Sequence, residues 1–287
     1  MTKEREPTPS STPASSQEIA FRSLRPEAQD ILWRAEKMSG KRVQILPYPS
    51  LEAWGAIRIA RNREKCHILR YNPRYERHLD YLVVHECGHL LRLWSVSPEE
   101  RQVPLITRKE RRTAYRLLLK ELPEPLRALP ERALADLFRT WHDGIVRQVT
   151  SFPADIRIEA WLYDCYPRMR EVQVAALVEQ LRENETVLRP EVAALTPRTV
   201  YRASILINCA FAQSLALLLD EPALCRGYPL QLRQQAAKLL REVSAAKDPG
   251  YTGDVKIARK WAELLGLSGW FKWTKFRQGP TEGVSFT

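Results

Sequence analysis

Apolar positions along the chain first take helical spacing after Ser23-Leu24-Arg25-Pro26-Glu27, where a capping residue, an early proline and an acid mark a helix start, and Gly40 marks its end. Three short apolar runs follow, Val43 to Leu46, Gly55 to Ala60 and Cys66 to Tyr71, with Pro47 and Pro49 in the connections. They predict strands of a small antiparallel or mixed sheet. After the Asn72-Pro73 turn, RYERHLDYLVVHECGHLLRL contains no proline, so one helix is predicted from about Tyr75 to Leu93. Beyond Pro98 the pattern is helical and punctuated by proline, at about 108–121, 131–149, 154–164, 169–184, 198–219, 229–246 and 254–265. No internal repeat is visible. A helix, a small sheet, a second helix and an all-helical remainder make an α+β chain.

Composition sharpens the boundaries. The opening MTKEREPTPSSTPASSQE is rich in Pro, Ser and Thr and nearly free of large apolar side chains, which predicts a disordered tail over residues 1–19. A core is expected over 20–166, with a helical insertion at about 98–150, and a helical C-terminal region over 167–287 packed on it. No apolar stretch follows the start, and the tail carries acids unlike a transit peptide, so the expected location is the cytoplasm. The most apolar stretch, Ala203 to Leu219, is broken by Asn208 and Gln213 and preceded by Arg198 and Arg202, which favours a buried helix over a membrane span. Five cysteines without a CxxC pair argue against a disulfide framework or a cysteine zinc cage. The net charge of +11 permits attraction to nucleic acid, but the arginines are spread among acids as on a solvated helical surface, and nucleic acid is not the favoured partner.

The chemistry concentrates in His85-Glu86-Cys87-Gly88-His89. On a helix, residues four apart lie about 40° apart on one face, so His85 and His89 can aim imidazole nitrogens at one metal ion. Glu86, beside them, is the candidate base for a water that the metal has made acidic. Leu82, Val83, Val84, Leu90 and Leu91 bury this helix, and buried histidines need partners. His67 and His78 read as structural.

A tetrahedral zinc ion needs a third protein ligand. SFPADIRIEAWLYD places Asp155 and Glu159 four apart, with Ile156, Ile158, Trp161 and Leu162 as anchors. One carboxylate would bind the metal while the other accepts a hydrogen bond from the unused nitrogen of a ligating histidine. Asp155 follows Pro153 in a predicted first helical turn, where acids are favoured for dipole reasons alone. Glu159 lacks that explanation and has the longer reach, so it is the expected ligand, with Asp155 the alternative. His142 is a weaker candidate.

HECGH resembles the HExxH signature of zincin metallopeptidases, and HILRYNPRYERHLDYLVVHECGHLLRLW resembles the ImmA/IrrE-like branch, in which a strand and an Asn-Pro turn lead into the motif helix. The likeness covers roughly residues 24–94 and, loosely, 153–164. It implies a zincin-like core of helix, small sheet and motif helix, with His85 and His89 as zinc ligands, Glu86 as catalytic acid and base, and a carboxylate from a later helix. Many zincins place the ligand first and the supporting acid four residues later, an order that would make Asp155 the ligand. The resemblance also implies an intracellular protein substrate, such as a transcriptional regulator or repressor. The stretch between motif and carboxylates exceeds the compact family core and would form a lid or wall.

The expected reaction is peptide-bond hydrolysis, with one Zn2+, Glu86 moving the protons, and an oxyanion donor drawn from Tyr163, Tyr201, Arg157 and His142. The helix from Thr199 to Leu219 is expected in the core rather than along a peptide groove, and the aromatic segment Gly266 to Gln278 is expected to pack on the domain. The rival reading is a zincin-fold sensor or nucleic-acid-associated module with little or no proteolysis. An intact Glu86 speaks against it.

Overall fold

The computed structural model describes residues 23–61, 63–245, 248, 250–276 and 285–286. The segment 1–19, expected as a disordered tail, lies outside the described residues. The architecture is mixed α+β and mostly helical.

Helix α1, Pro26–Ser39, buries Ala28, Ile31, Leu32 and Ala35 and ends at Gly40, whose φ of 71° is the left-handed conformation that closes a helix with little strain. Strands β1 (Arg42–Pro47), β2 (Gly55–Arg58) and β3 (Cys66–Tyr71) follow. Alternation along β3 turns His67, Leu69 and Tyr71 inward. β3 lies between β1, parallel to it, and β2, antiparallel to it, and β6 (Ser285–Phe286) pairs antiparallel with the outer edge of β2.

The chain enters the motif helix through a 3-10 segment, Pro73–His78, capped by the Asn72 side chain. A kink at Tyr75 separates it from α2, Leu79–Trp94, so the single helix expected from Tyr75 begins four residues later. The kink is held from outside: Tyr75 stacks on Trp54 at 4.1 Å, and both donate to the Glu183 carboxylate. α2 packs on α1 and the sheet, with Leu82, Val83, Val84, Leu90 and Leu93 buried.

The remainder differs from expectation in two ways. Gln102–Leu105 forms β4 and pairs antiparallel with β5, Lys272–Lys275, so the last aromatic segment closes a second sheet over the stretch after α2. Helix α3, Arg108–Lys120, follows with a capping box from Thr107 and Glu110. The two helices expected at 131–149 and 154–164 are then one, α4, running 35 residues from Glu131 to Cys165 through Pro153. Proline removes a backbone donor at a cost of about 3 kcal/mol in an isolated helix. Here Ile145, Val146, Val149, Ile158 and Leu162 are buried on both sides of it, and that packing keeps the helix continuous.

The C-terminal helices are α5 (Arg170–Asn184), a short α6 (Pro190–Leu195), α7 (Arg198–Leu218), α8 (Leu230–Ser244) and α9 (Tyr251–Leu264). α7 is long and apolar enough to cross a membrane, yet most of its apolar span is buried against α4 and α8. α4 is flanked by α7 and α9 and crosses α2, so the motif helix meets residues from the chain's second half.

Candidate metal centre

Two helices make the centre. α2 supplies His85 and His89, one turn apart, with ring centroids separated by 5.1 Å. α4 supplies Asp155, whose Oδ1 lies 3.8 Å from His85 Nε2 and 3.1 Å from His89 Nε2. Donor atoms of these three residues all fall within 4.8 Å of one another. The seam can close this tightly because residue 88 has no side chain: a Cβ on Gly88 would come within 2.8 Å of Ile158 Cγ2. The glycine inside the motif is thus a packing requirement of the α2–α4 crossing.

The carboxylate that faces both imidazoles is Asp155, the alternative to the expected Glu159. Glu159 is completely buried and turned to the back of His85: its Oε1 lies 2.7 Å from His85 Nδ1 and accepts from Tyr81 Oη at 2.8 Å. Gln173 Nε2, from α5, donates to the other oxygen at 2.7 Å. The reason lies in the continuous helix. Asp155 and Glu159 are one turn apart on α4, as His85 and His89 are on α2, so at the crossing Asp155 comes between the two imidazoles and Glu159 meets His85 alone. The shorter side chain stops at the Nε2 atoms, and the longer one passes beyond them to Nδ1. Because α4 runs through Pro153, Asp155 is not in a first turn and the helix dipole does not account for it.

Electrostatics follow the same division. Burial opposes a charge on His85, but the hydrogen bond and charge of Glu159, aided by Asp155 and Glu86, outweigh it and raise the imidazole to about 9. Burial likewise opposes the Asp155 charge, and the hydrogen bond and charge of His89 outweigh it, holding the carboxyl below its ordinary range. Glu86, next in sequence to His85, is 3% exposed, and burial raises its carboxyl. It lies against β2, where a Cβ on Gly55 would sit 3.5 Å from its Oε1. Its Oε2 is buried with no hydrogen-bond partner among the described residues.

This donor set suits a metal of the zinc type. Two imidazole nitrogens and one carboxylate oxygen converge, the back nitrogen of one imidazole is held by a carboxylate, and a lone buried carboxylate oxygen stands beside them.

Of the four expected oxyanion donors, three lie away from the centre and the fourth is engaged with another residue. His142 lies thirteen residues before Asp155, about 20 Å along α4. Its Nε2 is 2.8 Å from the Trp270 carbonyl, and its ring packs between Trp270 and Tyr115. It is a core histidine held through Nε2 and packed against aromatic rings, too far along α4 to be a ligand. Tyr163, about 12 Å beyond Asp155 on the same helix, packs under the Arg170 guanidinium at 4.4 Å. Tyr201 is two residues past Thr199, which bonds Glu121 at the end of α3; the part of α7 that reaches α4 near the centre is Phe211, against Phe152. Arg157 is close to the centre, but it turns away and donates to Asp254 at 3.1 Å. The expected structural roles of the other two histidines match their surroundings: His67 Nδ1 accepts from the Ala60 amide at 3.0 Å, and His78 Nε2 lies 2.9 Å from Glu179.

Sequence reasoning missed Tyr81, Gln173 and the Arg92–Asp254–Arg157 cluster. Tyr81 carried a signal, because it precedes His85 by one helical turn and so shares its face. Gln173 and Asp254 carried none, being placed by tertiary packing alone. Compared with family models, curated proteins and solved structures, the chain matches none of them, so the chemistry of the centre rests on its own geometry.

Proposed function

We propose that the chain is a zinc-dependent endopeptidase of the zincin type, most similar in plan to the ImmA/IrrE-like branch, acting on an intracellular protein substrate such as a transcriptional regulator. His85, His89 and Asp155 would hold one zinc ion, which when bound supplies Lewis acidity to the scissile carbonyl and to the attacking water. The observation that carries this reading is the largely buried convergence of His85, His89 and Asp155 beside the unpartnered oxygen of Glu86.

The residues have separable tasks. Tyr81 and Gln173 orient Glu159, and Glu159 fixes the His85 ring by accepting a hydrogen bond from its Nδ1–H, which leaves the Nε2 lone pair directed at the centre. Glu86 takes a proton from the attacking water as its oxygen adds to the carbonyl carbon. It then returns that proton to the amine nitrogen as the carbon–nitrogen bond breaks. Burial makes Glu86 a stronger base than an exposed glutamate, which suits both transfers. β2 runs beside Glu86 and already accepts an antiparallel strand, Ser285–Phe286, on its outer edge. An extended peptide taking the place of Ser285–Phe286 on that edge would have its backbone carried past the base.

The test is metal analysis of the purified chain, joined to comparison of new peptide N-termini in cell extract treated with wild type or Glu86→Gln. We expect one zinc per chain in both, with cleavage by wild type alone. Absence of metal from the wild type, or equal cleavage by the variant, overturns the proposal.

A further inference from the structure

We propose that Asp254 is a positioning residue for the centre, fixing His89 on α2 and Asp155 on α4 relative to each other through two arginines. The proposal rests on the reading of His85, His89 and Asp155 as metal ligands. Arg92 follows His89 by three residues, and Arg157 follows Asp155 by two. Between them, α9 inserts the carboxylate of Asp254, which is 3% exposed. It accepts from Arg92 Nε at 2.6 Å and Nη2 at 2.8 Å, a two-point grip that fixes direction as well as distance. Its Oδ1 also accepts from Arg157 Nη1 at 3.1 Å. His89 and Asp254 line the same small cavity, together with Thr150, Ser151 and Tyr251.

Two crossing helices keep their separation by packing, but apolar contacts leave sliding and rotation weakly determined. A ligand set drawn from both helices needs those motions restrained, and a carboxylate held between a guanidinium on each restrains them within one turn of the ligands. Charge supports the same assignment. Arg92 and Arg157 are countered by Asp254 and by Asp248, which is 45% exposed and accepts from Arg92 at 2.7 and 2.8 Å. Loss of the Asp254 charge would leave a buried guanidinium under-compensated beside a bound cation. Loss of the Asp248 charge would be largely made good by water.

The experiment uses the full chain, loaded with cobalt for its visible absorption spectrum and with zinc in competition against a chromophoric chelator. Thermal unfolding of the metal-free forms is followed alongside. Asp254→Asn is expected to bind zinc at least about tenfold more weakly and to change the cobalt spectrum, because the ligand geometry loosens. Asp248→Asn is expected to stay within about twofold of wild type with an unchanged spectrum. Should Asp254→Asn not fold, Arg157→Lys keeps the charge but shortens the reach, and it must still alter the cobalt spectrum. A wild-type spectrum and zinc affinity in Asp254→Asn, even with a lower unfolding temperature, shows a structural role only and overturns the proposal, as does an unaltered spectrum in Arg157→Lys. A wild-type chain that takes up neither ion overturns the centre itself, an outcome separate from any difference between variants.

Discussion

α2 has two imidazole-bearing neighbourhoods, one on each side of it. On the α4 side, His85 is surrounded by Glu159, Asp155 and Glu86 and is raised to about 9. On the sheet side, His67 of β3 packs edge-on to Trp94 at 5.3 Å, accepts a backbone amide, and is lowered by burial to about 4. His67 is fully removed from water and His85 largely so. The difference is what else is buried with them: carboxylates in one case, a peptide N–H and an aromatic ring in the other. At His67 burial leaves the imidazole neutral, with one nitrogen accepting a backbone amide and Nε2 buried without a hydrogen-bond partner among the described residues. Gathering three acids around His85 is costly without a further cation, and that cost is what favours the α2–α4 seam as the site of the proposed centre.

The largest expected effect removes chemistry from the seam without disturbing it. Glu86→Gln should lower proteolysis by between about a hundredfold and ten-thousandfold while metal stays bound, as measured by turnover and metal content on the same preparation. Next comes the division between the two acids of α4. Asp155→Ala should abolish stoichiometric zinc, whereas Glu159→Gln, which loses only the charge behind His85, should weaken zinc by about ten- to a hundredfold in chelator competition. The reverse ranking would restore Glu159 as the ligand and break the account of the crossing given above.

That division marks where the sequence stops being legible. His85, Glu86 and His89 are readable because their relation is local: a spacing of four on a helix whose apolar neighbours declare its buried face. The α+β order and most helix positions are readable for the same reason. The choice between Asp155 and Glu159 depends on how α4 crosses α2, and it was obscured by Pro153, which locally signals a break that tertiary packing overrides. β4 and β5 pair residues far apart in the chain, and neither strand has enough alternation to announce itself. Arg157 looks like an oxyanion donor until Asp254 is placed beside it.

Gly88 is an intermediate case, a motif residue whose role is steric. Gly88→Ala puts a methyl group 2.8 Å from Ile158 Cγ2, which should cost about 1–3 kcal/mol in denaturant unfolding and separate Asp155 from the histidines. Adding Ile158→Ala should recover part of the metal affinity by vacating the contested space. A Gly88→Ala chain with wild-type stability and zinc affinity would show that the seam is slack, and with it the explanation of why Asp155 reaches the centre.

The smallest effect at neutral pH, and the one that completes the contrast between the two histidines, is their opposite response to pH in the metal-free protein. His85 holds its proton more tightly when folded than at the ordinary value of 6.5, so its contribution to stability is full below 6.5 and is lost as pH rises through about 9. Zinc must displace that proton, and apparent zinc affinity should therefore climb with pH across the same window. His67 holds its proton less tightly when folded. Its contribution is full above 6.5 and is lost as pH falls toward about 4, where the unfolded chain takes up a proton the folded one refuses. His67→Asn keeps an acceptor for the Ala60 amide but cannot titrate, so unfolding measured against pH should lose part of its acid-side slope and leave the alkaline side and zinc affinity unchanged. If zinc affinity falls with His67→Asn, the two sides of α2 are coupled, and the separation of a structural histidine from a functional one fails.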